Sequence, residues 1–242
     1  MNKDMCLHNG NKVPISGEYS YYGNFSQILV VNRGVHEPLE EFCFQETLEK
    51  IIDEEPKMIE LGSNWAHYSM WLMKKFPKGN CFMVEPSKKA LDTGYNNFKY
   101  NNFPNGKFYL SKVAKDGFIL DKFVDLKKID KISILHSDIQ GSEIEMLDGA
   151  KNFLSKQLSD YIFLSTHSNN IHNEAKQKLE AFGYIVEVSS NFDNHTTSYD
   201  GFILATAPSA KRIFKNFIPF GREEINSKKP NEMIEYLNSI IK

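Results

Sequence analysis

The sequence predicts an α/β fold, a mostly parallel sheet with helices on both faces. Two observations carry that prediction. Short apolar runs suited to strands alternate with segments whose apolar residues recur at helical spacing, and such alternation builds parallel sheets. The chain's 242 residues, 41% hydrophobic and 25% charged, suit one well-buried domain with additions and fall short of two full domains.

Residues 1–25 are rich in Asn, Gly and Tyr and read as a loosely structured lead-in. Residues 27–31 (Gln-Ile-Leu-Val-Val) read as a strand. Phe44, Leu48, Ile51 and Ile52 give residues 42–52 a helical face. Strands are then expected at 57–61, 80–84, 107–110, 132–136, 161–165, 184–188 and 202–205. Helices are expected between them at 68–76, 87–101, 141–153 and 173–182, with Ser87 as an N-cap. A tail that starts basic (Lys211, Arg212, Lys215) ends in a helix at 232–241. The organisation is therefore a lead-in (1–25), a strand and helix capping the core (26–56), the core itself (57–208) and a helical tail (209–242). Right-handed crossovers place the parallel strands' C-terminal ends on one edge, where ligands of open α/β sheets bind.

The net charge of -2 gives no field for nucleic acid or a membrane surface. No apolar run is long enough to span a bilayer, and the polar N-terminus lacks a signal segment. Cys6, Cys43 and Cys81 are far apart and odd in number, show no metal-binding spacing and suit a reducing cytoplasm.

Glu60-Leu61-Gly62 ends one strand and Glu85 ends the next. Gly62 lets the backbone turn sharply against a ligand, and the following helix offers free N–H groups to a carboxylate. A carboxylate at Glu85 is placed to accept both hydroxyls of a ribose. An ammonium group and a ribose diol together describe S-adenosylmethionine. A dinucleotide site would need G-x-G-x-x-G, and Trp65 in the turn opposes it. Ser111 and Lys112 follow the third core strand, on the adenine side. Asp138, in His136-Ser137-Asp138-Ile139-Gln140-Gly141, projects from the fourth toward the sulfonium and acceptor, or caps the next helix. His167, at the fifth tip, is a candidate base for a hydroxyl proton. His36 and Glu37 precede the core as a possible lid, and Glu40 and Glu41 read as acids at a helix start.

Together, residues Met58 to Leu72, Val84-Glu85-Pro86-Ser87, Leu135 to Leu147 and Phe163 to His167 resemble the FkbM-type S-adenosylmethionine-dependent methyltransferases. Gly183-Tyr184 and Asp200-Gly201-Phe202-Ile203 extend the resemblance, which covers residues 25–208. It implies a Rossmann-like class I methyltransferase fold. Glu60, Gly62, Ser63 and Asn64 would then line the methionine and ribose side of the cofactor, with Ser69 beside them, Glu85 would hold the ribose, and Ser111 and Lys112 would flank the adenine. Asp138 and His167 would serve catalysis; His36, Glu37, His136 and Gln140 would face the acceptor. The sequence departs from the family at Ala66, where a second glycine is common, in the bulk of Trp65 and His67, and in having His136 and Gln140 around the Asp-x-x-Gly turn. The implied reaction is O-methylation of a sugar, nucleotide-sugar or surface glycan. The alternatives are N-methylation of a small amine and a catalytically silent cofactor- or partner-binding domain. Related sugar methyltransferases hold Mg²⁺ with several acids at these tips; here His167 stands in place of paired acids, so Mg²⁺ is possible and not favoured.

Overall fold

The computed structural model describes residues 4–21, 26–192, 200–215 and 217–241. A small antiparallel hairpin, β1 (Asp4–Cys6) and β2 (Lys12–Pro14), comes first, followed by α1 (Gln27–Val31) and α2 (Pro38–Leu48). The core continues through β3 (Lys57–Leu61), α3 (His67–Lys75), β4 (Asn80–Glu85), α4 (Lys88–Tyr100) and β5 (Gly106–Leu110). Then come α5 (Leu120–Lys127), β6 (Ile132–Ser137), α6 (Glu143–Asp148), α7 (Lys151–Ser155), β7 (Ser159–Thr166) and α8 (Asn169–Ala181). The chain closes with β8 (Ile185–Ser190), β9 (Gly201–Thr206), α9 (Arg222–Ser227) and α10 (Pro230–Ile241).

The large sheet has the order β5-β4-β3-β6-β7-β9-β8, with β9 antiparallel to both its neighbours and every other pairing parallel. Strand order reverses between β3 and β6, which opens a crevice at their C-terminal ends. The core strands are apolar on both faces. Met58, Met83, Ile134 and Phe163 pack on one side with Cys43 and Phe44 of α2 and Leu72 of α3. Their sequence neighbours Ile59, Val84, Leu135 and Leu164 pack on the other with α5, α6, α7 and α8. Period-2 alternation decides which polar tip faces which layer. Glu60 and His136 share the Met58 face and are paired in register, so both point toward α2 and α3.

Several expectations are corrected. Residues 27–31 form the helix α1, not a strand. β-Branched composition favoured a strand, but Leu29 alone among the apolar side chains of this run is buried; Ile28, Val30 and Val31 are exposed. Its end is helical in kind: Gly34 N–H bonds Leu29 O at 2.7 Å, with Arg33 and Gly34 at positive φ. The lead-in contains the β1–β2 hairpin, and residues 1–3 and 22–25 lie outside the described residues. α2 begins at Pro38, suited to a first helical position by its fixed φ. The single helix expected over 141–153 is two, α6 and α7, separated at Gly149–Ala150. α5 and α9 were not anticipated. Ser87 caps α4 as expected, its hydroxyl accepting Ala90 N–H at 3.3 Å, a contact worth about 1 kcal/mol.

Candidate active site

The turn after β3 packs as tightly as its glycine requires. Gly62 has φ +73°, and a Cβ there would lie 1.7 Å from the Asp138 carbonyl oxygen. The tips of β3 and β6 therefore touch through backbone, and Asp138 N–H donates to Leu61 O at 2.9 Å. The amides of Gly62 and Ser63 both donate to Val84 O, at 2.8 and 3.1 Å, and Ala66 N–H donates to Ser63 O at 2.6 Å. Asn64 N–H donates to Glu85 at 3.0 Å. With these donors engaged inside the protein, the turn cannot cradle a pyrophosphate, which removes the dinucleotide reading.

Glu60 is buried under the first turn of α3. Its carboxylate accepts Ser69 N–H at 3.2 Å, and burial raises its pKa to about 6 although His136 nearby favours the charged form. Glu85 is also buried, with one oxygen on Asn64 N–H and the other on Ser87 N–H at 2.8 Å. Each oxygen keeps a further acceptor position.

A cavity of about 440 Å³ opens at these strand tips. Glu60, Gly62, Ser63 and Asn64 line it on the β3 side; His36, Glu37, His136, Asp138 and Gln140 line it on the other. Ser69 and Glu85 stand behind this lining, Ser111 and Lys112 lie at the end of β5 away from it, and His167 lies beyond Asp138. A larger hollow of about 890 Å³ lies between α5 and α7. It sits at the N-terminal ends of β6 and β7, the wrong edge for ligand binding in such sheets.

α2 contributes what the sequence reading missed. Glu40 and Glu41 do not merely favour a helix start; both are buried, at 4% and 2% exposure, and reach into the site. Glu40 bonds His136 Nε2 at 2.6 Å and accepts the Ser165 hydroxyl at 3.0 Å. Burial, reinforced by the Glu37 and Asp138 charges, raises Glu40 well above the carboxylate range, while burial lowers His136. Both partners are thus driven toward neutral forms. Glu41 accepts the amides of His36 (2.7 Å) and Glu37 (3.1 Å) and bonds His8 at 2.6 Å and His67 at 3.0 Å. Burial would raise its pKa, but His67 and His8 outweigh burial and hold it far below the usual range. Glu37 accepts the Tyr68 hydroxyl at 2.9 Å, and His36 bonds the Tyr21 hydroxyl. Glu41 thereby ties the hairpin, α2 and the cofactor-side turn into one unit. The available signal was the set of histidines 8, 36, 67 and 136, which need anionic partners if buried.

His167 carries a carboxylate on each side. Its Nδ1 bonds Glu143, which is fully buried at the start of α6, and Nε2 faces Asp138 and Asp200. Burial alone would lower its pKa; Asp138 and Glu143 overcome this and raise it to about 10. Without another cation present, the ring is an imidazolium at neutral pH, not a ready base.

Residues 37–186 match the family model described as Methyltransferase FkbM domain. No curated protein matches the chain. Among solved structures, it is similar to precorrin-6y C5,15-methyltransferase from Geobacter metallireducens GS-15, at 18% identity and a TM-score of 0.50, over 69% of this chain and 87% of that one. It is also similar to ribosomal protein L11 methylase from Lactobacillus delbrueckii subsp. bulgaricus, at 11% identity and a TM-score of 0.50, over 74% of this chain and 81% of that one. At these identities the likeness is one of fold.

Proposed function

The chain belongs to the FkbM methyltransferase family and is a S-adenosylmethionine-dependent methyltransferase, and we propose that it methylates a hydroxyl of a sugar, nucleotide-sugar or surface glycan. The observation that carries this reading is the cavity itself. One wall holds the buried Glu60 carboxylate, and the facing wall is dense in acids, imidazoles and amides suited to a polyhydroxylated acceptor. We read the sheet as the Rossmann-like class I methyltransferase fold.

The cofactor fits the residues present. Glu60 is a buried carboxylate short of countercharge, its pKa raised to about 6 by burial. Such a group suits the ammonium of the donor's methionine moiety. The hydroxyl of Ser63 is buried on the cavity wall without a hydrogen-bond partner among the described residues. Glu85 has acceptor capacity left for ribose hydroxyls. When bound, the donor supplies an electrophilic methyl group on a sulfonium.

The protein's part is alignment and proton transfer. The backbone contact between Gly62 and Asp138 fixes the cofactor side against the acceptor side, which favours an in-line approach. Asp138 lines the cavity and is the proposed acceptor of the hydroxyl proton. His167 positions Asp138 from behind. His36, Glu37, His136 and Gln140 contact the acceptor. Among the described residues no helix is long and apolar enough to cross a membrane. The free thiols of Cys6, Cys43 and Cys81 support a cytoplasmic setting for the reaction.

Incubation with labelled S-adenosylmethionine and a panel of nucleotide sugars and oligosaccharides tests the proposal. Formation of a methyl ether on one of them is the expected result. Transfer confined to amines, or to no member of a broad saccharide panel, would overturn it.

A further inference from the structure

We propose that Asp138, His167 and Asp200 form a divalent-cation site at the acceptor end of the cavity. The three residues come from separate tips. Asp138 follows β6, His167 follows β7, and Asp200 immediately precedes the antiparallel strand β9. One donor atom from each lies within 4.8 Å of the others.

The spacing of this cluster suits ligands that share an ion. Asp138 Oδ1 lies 3.3 Å and Asp200 Oδ1 3.6 Å from His167 Nε2. Charge-assisted N–H···O bonds close to about 2.7–2.9 Å, and both oxygens stand farther out than that from the ring nitrogen. Neighbouring ligands on an ion with bonds of about 2.1–2.2 Å lie roughly 3 Å apart, close to what is seen. The buried oxygen Asp138 Oδ1 makes no hydrogen bond in the structure. By contrast, His8, Glu41 and His67 also converge, but their contacts are hydrogen bonds of 2.6 and 3.0 Å, and protons account for them.

The surroundings fit a metal-binding histidine. Nδ1 is bonded to Glu143, which is fully buried and whose second oxygen has no hydrogen-bond partner. A carboxylate on one ring nitrogen fixes the tautomer that presents the other nitrogen to a metal. The amide nitrogen of Gln140 lies 2.9 Å from Nε2, and a half-turn of that amide offers its carbonyl as a further ligand. Carboxylates suit Mg²⁺ and Mn²⁺ and an imidazole suits transition ions, so Mn²⁺ is the probe that tests both donor types. Asp138 and Asp200 both line the cavity, so an ion between them would face the oxygens of a hydroxyl-bearing acceptor. Asp138 would bind through Oδ1 and keep Oδ2 for the acceptor's proton.

This inference extends the methyl-transfer reading, and the two are tested separately on one preparation. Mn²⁺ binding is followed by loss of the free-ion electron paramagnetic resonance signal, and S-adenosylhomocysteine binding by calorimetry. The expected result is one Mn²⁺ per chain, weakened at least about tenfold in Asp200→Asn and in His167→Gln, with S-adenosylhomocysteine affinity unchanged. Using both variants guards against either one failing to fold. No bound Mn²⁺ at millimolar ion overturns the site while leaving the cofactor reading intact. Equal Mn²⁺ binding in wild type and both variants also overturns it. Absence of S-adenosylhomocysteine binding counts against the cofactor reading alone.

Discussion

Replacing Glu60 with Gln should make the unliganded protein more stable above neutral pH and a poorer binder of its cofactor. Glu60 is 2% exposed, and its pKa rises from the usual 4.5 to about 6 through burial. As pH rises, the unfolded chain releases this proton first, so stability falls between 4.5 and 6 and then levels off. The total loss is about 2 kcal/mol, of which about 0.8 is complete by pH 5 and about 1.2 follows between pH 5 and 8. Glu60→Gln cannot ionise, yet its side-chain oxygen still accepts the Ser69 amide that Glu60 holds at 3.2 Å. Urea unfolding of both proteins at pH 5, 6, 7 and 8 should show the variant gaining on the parent by about 1.2 kcal/mol across that range. A gap that stays flat or narrows with rising pH would refute the reasoning that Glu60 is a desolvated carboxylate kept for a cation. Saturating S-adenosylhomocysteine should reverse the order, because its ammonium loses a charged partner.

Wild-type affinity for S-adenosylhomocysteine should decline as pH drops below about 6, where Glu60 protonates, and calorimetry on Glu60→Gln should show no such decline. Gly62→Ala sets a methyl 1.7 Å from the Asp138 carbonyl oxygen; a loss of more than about 3 kcal/mol in chemical denaturation is expected, and near-wild-type stability would mean the strand tips are not in contact. Glu41→Gln replaces the carboxylate that bonds His8 and His67 and accepts the His36 and Glu37 amides, a change that should cost about 1–3 kcal/mol in the same assay. Asp138→Asn should lower kcat about 100-fold or more while S-adenosylhomocysteine affinity holds, which separates a proton acceptor from a cofactor ligand.

Much of the fold was legible because strands β3 to β7 announce themselves as short apolar runs ending in polar tips. The same logic failed at residues 27–31, where an apolar, β-branched run is compatible with either element. Only the placement of Leu29 against the core, and the Arg33–Gly34 closure, make it helical. On the cofactor side, Glu60 and Gly62 could be singled out because each sits at a junction whose local geometry the sequence encodes. The acceptor side is assembled over long distances. Glu40 meets a histidine 96 positions later, and Glu41 meets residues 33 positions before and 26 after it. Asp200 reaches the site from just before an antiparallel strand, and the Asp-Gly-Phe-Ile run that contains it carried no site role in the sequence. Acids at a helix start look alike whether they serve the dipole or a buried imidazole, and burial alone tells them apart.

Titration of S-adenosylhomocysteine into the purified protein by calorimetry bears most directly on the crevice at Gly62. The account requires one binding event per chain, weakened by Glu60→Gln and by Glu85→Ala. A wild-type protein that takes up no ligand at pH 7.5, across conditions in which it is folded, would contradict it.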